Sequence, residues 1–210
     1  MVVVALVTGI LAQAGGWWLV ERGHGTVWSL VTPLLLLLGV VAVVIGVPPL
    51  SVETSVAGAL GIGAAAGVGF YVATRAFVIV VTGWETFRRR SAQMYARQDP
   101  LSTSRAVLLS AVLGAPGEEL FWRGLLQGEL ARALDGRTVL AAAIALVLFV
   151  AANAPSGNLA IVAAALVGGA IWGSLAAWTG GVAAPIVCHA AWTAMMIAFP
   201  VVRRPADVAT

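Results

Sequence analysis

The stretch SRAVLLSAVLGAPGEELFWRGLLQGELARAL, residues 104–134, decides the fold class of this chain. As a helix rising roughly 1.5 Å per residue, it is long enough to cross a bilayer core of about 30 Å. Most of its residues are apolar, yet Glu118, Glu119 and Arg123 lie near its centre. Because a charge at the bilayer centre costs about 3 kcal/mol even on insertion scales, three charges together indicate a buried functional site.

The rest of the chain has the composition of a membrane protein. Hydrophobic residues make up 60% of its 210 residues and charged residues only 10%, which is far from the soluble range. Long apolar runs in lipid must be helical, because unpaired backbone groups cannot face hydrocarbon. We predict an all-α, polytopic transmembrane helix bundle of about seven spans, at residues 2–20, 29–50, 55–82, 104–134, 139–153, 159–179 and 182–201.

The positive charge is small and suits membrane orientation rather than nucleic-acid binding. The formal net charge is +3, and arginine is the only basic residue apart from two histidines. The loop at residues 83–103 carries Arg88, Arg89, Arg90 and Arg97, which predicts that it is cytoplasmic. With seven spans, the C-terminus is then cytoplasmic and the N-terminus outside, although a break at residues 114–117 would change this count. We expect a multi-pass protein of a bacterial-type cell membrane, with the lipid bilayer and not nucleic acid as its partner.

The first span and the glycine pairs have structural interpretations. Ala12-Gln13-Ala14 resembles a signal-peptidase site, but no side chain before Glu21 is charged, so residues 2–20 are interpreted as an uncleaved span. Two glycine pairs with four-residue spacing predict close helix approach, namely Gly63 with Gly67 and Gly169 with Gly173.

Helical spacing divides the charged cluster of the fourth span. Glu119, Arg123 and Gln127 recur at i, i+4 and i+8 and share one face, whereas Glu118 points about 100° away. Arg123 is placed to neutralise Glu119. Glu118 is left without an equally well-placed partner. A carboxylate that no cation neutralises is available to act as a general base. The structural alternative is a packing ion pair beside a wet pocket.

Two later spans supply polar groups that would complete a site. Phe149 and Asn153 are four residues apart on the fifth predicted span, and His189 and Thr193 are four apart on the seventh. Each has an ordinary structural explanation as well. A lone histidine often packs in a helix, a threonine such as Thr193 can bond to its own helix carbonyl, and Asn153 before Ala154-Pro155 fits a helix end.

The order of these groups, Glu-Glu-x-x-x-Arg, then Phe-x-x-x-polar, then His-x-x-x-polar, resembles the CAAX protease and bacteriocin-processing (CPBP, or Abi) family of intramembrane endopeptidases. The resemblance covers residues 104–199, and its most specific part is the first motif with Phe121 and the following Gly124-Leu125-Leu126. It divides the chain into an N-terminal three-span region with a basic loop, residues 1–103, and a CPBP-like four-span catalytic core, residues 104–210.

The resemblance implies roles for the six candidate site residues. Glu118 would activate a water for attack on a peptide bond, with Glu119 and Arg123 as its supporting pair and His189 as an oxyanion or orienting group. Two positions depart from the family pattern, because Asn153 stands where the second motif normally ends in His, and Thr193 where the third ends in Asn or Asp. An asparagine amide can donate to an oxyanion, but it cannot shuttle a proton and is a poor metal ligand.

These observations predict an intramembrane endopeptidase that acts on a membrane-associated peptide or protein and uses neither a metal nor another cofactor. Two alternatives remain open. The departures at Asn153 and Thr193 would also fit a catalytically impaired CPBP-like protein that binds a peptide or protein partner. A small transporter would explain intramembrane carboxylates, but the absence of repeats and the few polar residues in the first three spans disfavour it.

Overall fold

The computed structural model describes residues 1–46, 48–81 and 101–200, and these residues contain helices and no strand. The helices are α1 (Val2–Glu21), α2 (Val27–Ile45), α3 (Val56–Val81), α4 (residues 103–133), α5 (Thr138–Asn153), α6 (Leu159–Thr179) and α7 (Ala183–Ala198). This confirms the predicted all-α bundle of about seven spans.

Length and composition support membrane crossing by most of these helices. The helices α1, α2, α3 and α6, and α5 with the turn that follows it, are long and apolar enough to span a bilayer. Helix α7 is apolar but shorter, and α4 carries the charged cluster. The chain is therefore a multi-pass integral membrane protein. Most of the predicted basic loop and the C-terminal Arg203 and Arg204 lie outside the described residues, so the membrane orientation stays a prediction.

Helix α4 runs without a break through residues 114–117, where the sequence left an interruption open. Pro116 has no N–H group, and its ring crowds the preceding turn, which disfavours regular α geometry. Two wider π-helical stretches, Leu108–Gly114 and Leu120–Leu126, flank the short segment Ala115–Glu119 that holds this proline. The helix continues, and its two glutamates lie between wide turns of a kind frequent at functional sites.

The bundle is built around α4, which contacts α2, α5, α6 and α7. It approaches α2 closely at Gly39 and Gly117. A Cβ atom added to Gly39 would lie 2.6 Å from the Gly117 Cα, and one added to Gly117 would overlap the Leu35 carbonyl oxygen. Only glycine allows the two backbones to meet here, directly before Glu118.

Three of the four glycines in the predicted pairs lie at close helix contacts. Gly63 and Gly67 of α3 lie against the α7 backbone at Ala184 and Cys188. Gly169 of α6 lies against Phe149 of α5, whereas a Cβ atom at Gly173 would make only ordinary contacts at 3.4 Å or more. The expected close approach is therefore confirmed for the first pair and for Gly169.

The loop between α2 and α3 caps two other helices. The amide groups of Val182 and Ala183, at the start of α7, donate to the carbonyl oxygens of Pro49 and Leu50 at 3.0 and 2.9 Å. In return, the Thr179 carbonyl at the end of α6 accepts from the Val52 amide at 3.2 Å. The groups that a helix end leaves unpaired are thereby satisfied, and the start of α7 is fixed to this loop.

The glycine crossing predicts an unequal response to two matched substitutions. Gly39→Ala should lower the free energy of unfolding by about 1–3 kcal/mol, because the added methyl group meets backbone that cannot move aside. Gly61→Ala is the control, since a Cβ atom there meets nothing within 4 Å. Denaturant unfolding in detergent micelles measures both, and equal stabilities for the two variants would contradict the close crossing.

Candidate active site

The three predicted motifs meet at one cavity inside the bundle. The cavity has a volume of about 200 Å³, and Glu118 of α4, Asn153 of α5, and His189 and Thr193 of α7 belong to its lining. Trp17 of α1 and Trp172 of α6 add aromatic walls. Glu119 and Arg123 are not among the lining residues and lie behind it. The structure thus brings four of the six predicted residues to one cavity and places the other two as their support.

Glu119 connects the charged helix to the histidine helix. Its side chain is fully buried, and its Oε1 accepts from Arg123 Nη1 at 3.2 Å and contacts His189 Nδ1 at 2.8 Å. A carboxylate paired with a guanidinium can only accept, so Nδ1 is the histidine nitrogen that carries a hydrogen. This contact turns the other nitrogen, Nε2, toward the cavity.

Arg123 is held on several sides by groups of two further helices. Its Nη2 donates to the Gly169 carbonyl of α6 at 3.3 Å, and its guanidinium lies 4.5 Å from the centroid of the Phe149 ring. One turn further along, Gln127 Nε2 donates to the Gly173 carbonyl at 3.0 Å. The polar face predicted for α4 therefore contacts the glycine pair of α6, where the missing side chains leave the carbonyl oxygens accessible.

Glu118 lies at the cavity wall between two helices. Its Oε2 is 3.9 Å from His189 Nε2, and its Oε1 accepts from Gln13 Nε2 of α1 at 2.8 Å. Helical spacing leaves Glu118 without an equally well-placed partner on its own helix, and Gln13 supplies one from a distant helix. Gln13 is the only amide side chain in the first predicted span, which is the signal that identifies it. Spacing within one helix could not connect it to Glu118.

Asn153 and Thr193 lie in the cavity lining with different hydrogen-bond states. Asn153 Nδ2 donates to the Phe149 carbonyl of its own helix at 2.9 Å, which uses one of its two N–H groups. Thr193 Oγ1 is buried and finds no partner among the described residues, so it does not bond to its own helix carbonyl. Both side chains therefore keep hydrogen-bonding capacity.

The His189 ring is also fixed by an aromatic contact. The ring stacks on Trp172 with centroids 3.7 Å apart and planes inclined by 16°. Together with the Glu119 contact, this leaves the imidazole little freedom to turn. Within the described part of the chain, no group of three or more His, Cys, Asp or Glu side chains is arranged to hold a metal ion.

Comparison with known proteins agrees with the motif pattern. A family model described as Rce1-like, type II CAAX prenyl endopeptidase, matches residues 100–195. This match confirms the resemblance to the CPBP family, and it includes all six predicted site residues but not Gln13. Comparisons with curated proteins and with solved structures gave no match.

The buried ion pair predicts a large cost for removing one partner. Arg123→Met should lower the free energy of unfolding by about 3–5 kcal/mol, because Glu119 would stay buried without its guanidinium. The Glu119→Gln/Arg123→Met double variant should lose less than the sum of the two single variants.

The control for this prediction is a surface pair on the same helix. Arg132 contacts Glu129 at 2.7 Å with its side chain 71% exposed, so Arg132→Met should change stability by less than about 1 kcal/mol. Unfolding in detergent compares the two changes. Equal losses for Arg123→Met and Arg132→Met would contradict the role of the buried pair.

Proposed function

Because a family model described as Rce1-like matches residues 100–195, we propose that this membrane protein is an intramembrane endopeptidase in which Glu118 activates the attacking water. The observation that carries the proposal is the approach of Glu118 Oε2 to His189 Nε2, 3.9 Å apart in one cavity. That distance is too long for a direct hydrogen bond, and one water molecule can contact both atoms.

In the proposed reaction, Glu118 takes a proton from the water as its oxygen bonds to the carbonyl carbon of the peptide bond. The carbonyl oxygen becomes an oxyanion, and the C–N bond then breaks as Glu118 returns the proton to the leaving amine. His189 Nε2 faces the reacting atoms because Glu119 holds Nδ1. With its hydrogen on Nδ1, the neutral ring accepts from the water through Nε2 and orients it for attack.

Two further donors fit the developing oxyanion. The second N–H of Asn153 and the hydroxyl of Thr193 belong to residues of the same cavity lining, and Thr193 Oγ1 has no partner among the described residues. A buried hydroxyl without a partner costs free energy, which a bound peptide would recover by bonding to it. Although both positions depart from the family pattern, each still offers a donor in the cavity lining, which supports the proposed oxyanion role.

The proposed substrate is a peptide or protein associated with the membrane. The cavity lies within the helix bundle, between α4, α5 and α7, so a substrate segment must enter at membrane depth. The second candidate, a catalytically impaired protein that binds a peptide partner, is favoured by the two departures from the family pattern. Asn153 cannot transfer a proton as the usual histidine does, and Thr193 replaces the usual Asn or Asp.

Glu118→Gln should abolish cleavage, with kcat at least about 100-fold below that of the unmodified protein, because the amide cannot accept the proton of water. Glu129→Gln is the matched control, since Glu129 lies on the same helix in a surface ion pair with Arg132. The assay uses the purified protein in detergent with a library of membrane peptides. Cleavage that persists in Glu118→Gln would refute the mechanism.

The same assay separates the second candidate and tests for metal dependence. Peptide binding without cleavage by either form would favour the impaired binding protein. We expect cleavage to be insensitive to chelators, and a loss that zinc alone restores would contradict a glutamate-activated water without a metal.

Asn153→Leu tests the proposed amide donor. The two side chains are similar in size, and removal of one oxyanion donor should lower kcat by roughly 100-fold while substrate binding changes little. Steady-state kinetics on a cleaved peptide measure both values. A change confined to KM would place Asn153 in substrate binding instead.

A further inference from the structure

We infer that Gln13, in the first helix, is a positioning residue that sets the orientation of the Glu118 carboxylate. The inference rests on the proposed function of Glu118, and it assigns a role to a residue far outside the region matched by the family model. Gln13 is fully buried and is not among the cavity-lining residues, so it acts through Glu118 rather than on a substrate.

The chemistry of three side chains fixes the direction of both hydrogen bonds. The indole N–H of Trp122 can only donate, and it lies 2.8 Å from Gln13 Oε1. With its oxygen used as the acceptor, the Gln13 amide must turn its Nε2 toward Glu118, where the distance to Oε1 is also 2.8 Å. The order Trp122 to Gln13 to Glu118 therefore follows from donor and acceptor types.

Trp122 is itself held by aromatic packing. It is fully buried, with its ring centroid 5.5 Å from that of Phe121 and 5.1 Å from that of Phe149, both edge to face. Gly9, one turn before Gln13, lies directly against the Phe121 ring and lets α1 approach α4 closely. The Gln13 amide is thus bound to a side chain that packing holds in place on α4, the helix that carries Glu118.

As a consequence, the two carboxylate oxygens of Glu118 face different partners. Oε1 is bound by Gln13, whereas Oε2 faces His189 Nε2. His189 is oriented in a parallel way by Glu119, which is held by Arg123. Glu118 is therefore held by Gln13, which Trp122 fixes, just as His189 is held by Glu119, which Arg123 fixes. If Gln13 only filled space, an apolar side chain would serve as well, because burying it does not cost the free energy of desolvating an amide.

The first test compares variants of the full-length protein on a peptide that it cleaves. Gln13→Met keeps the size of the side chain and should lower kcat by about 10- to 100-fold, with KM changed by less than about threefold. Gln127→Met is the matched control, since it loses one buried hydrogen bond on α4 and should keep kcat within about threefold. Thermal unfolding of each variant shows that the fold is retained.

Trp122→Phe tests whether the indole acts through Gln13. It should lower kcat, and the Gln13→Met/Trp122→Phe double variant should lose no more than Gln13→Met alone, because the two residues act in series. A purely structural role predicts losses that multiply. Multiplying losses, or an unchanged kcat in Gln13→Met when Glu118→Gln is inactive, would overturn the inference.

A spectroscopic test does not depend on activity. The infrared carboxyl band of Glu118 is identified by its loss in Glu118→Gln, and it should shift in Gln13→Met but not in Gln127→Met. If Glu118→Gln cleaves as well as the unmodified protein, the proposed function fails while this band still tests the contact. A band that Gln13→Met leaves in place would refute the positioning role directly.

Discussion

The buried pair of Glu119 and Arg123 constrains the rest of the bundle. A charge removed from water must be matched by an opposite charge and by hydrogen bonds, and this pair draws its partners from three other helices. His189 comes from α7, the Gly169 carbonyl from α6 and the Phe149 ring from α5. Because helices in lipid gain little from hydrophobic association, such polar contacts decide which faces meet. The cavity is the space that this arrangement leaves beside Glu118.

Much of the fold follows from the sequence because lipid permits few structures. Apolar runs had to be helices, and four-residue spacing within one helix was enough to pair Glu119 with Arg123. The sequence could not predict that α4 continues through Pro116, because the same Gly and Pro residues occur both at helix breaks and at wide turns. Contacts between helices, such as Gln13 with Glu118, depend on how the helices pack, which periodicity does not encode.

The site has a facing row and a supporting row of side chains. Glu118 and His189 line the cavity, whereas Gln13, Glu119 and Arg123 stand behind them and never reach it. Helical spacing and the family resemblance together assigned Glu118 and His189 to the reaction and Glu119 with Arg123 to their support. Gln13 escaped both, since its contact with Glu118 depends on how two distant helices pack. The geometry supplies the reason why a carboxylate and an imidazole at membrane depth keep one orientation.

The loop between α2 and α3 determines how far along the α7 axis His189 lies from the loop. It fixes the start of α7 through the amide groups of Val182 and Ala183. His189 follows Ala183 by six residues, which is about 9 Å along a helix axis. The loop thus fixes the distance of His189 from that end of α7. In the proposed endopeptidase, lengthening or shortening the first turns of α7 would therefore move the point of cleavage along the substrate.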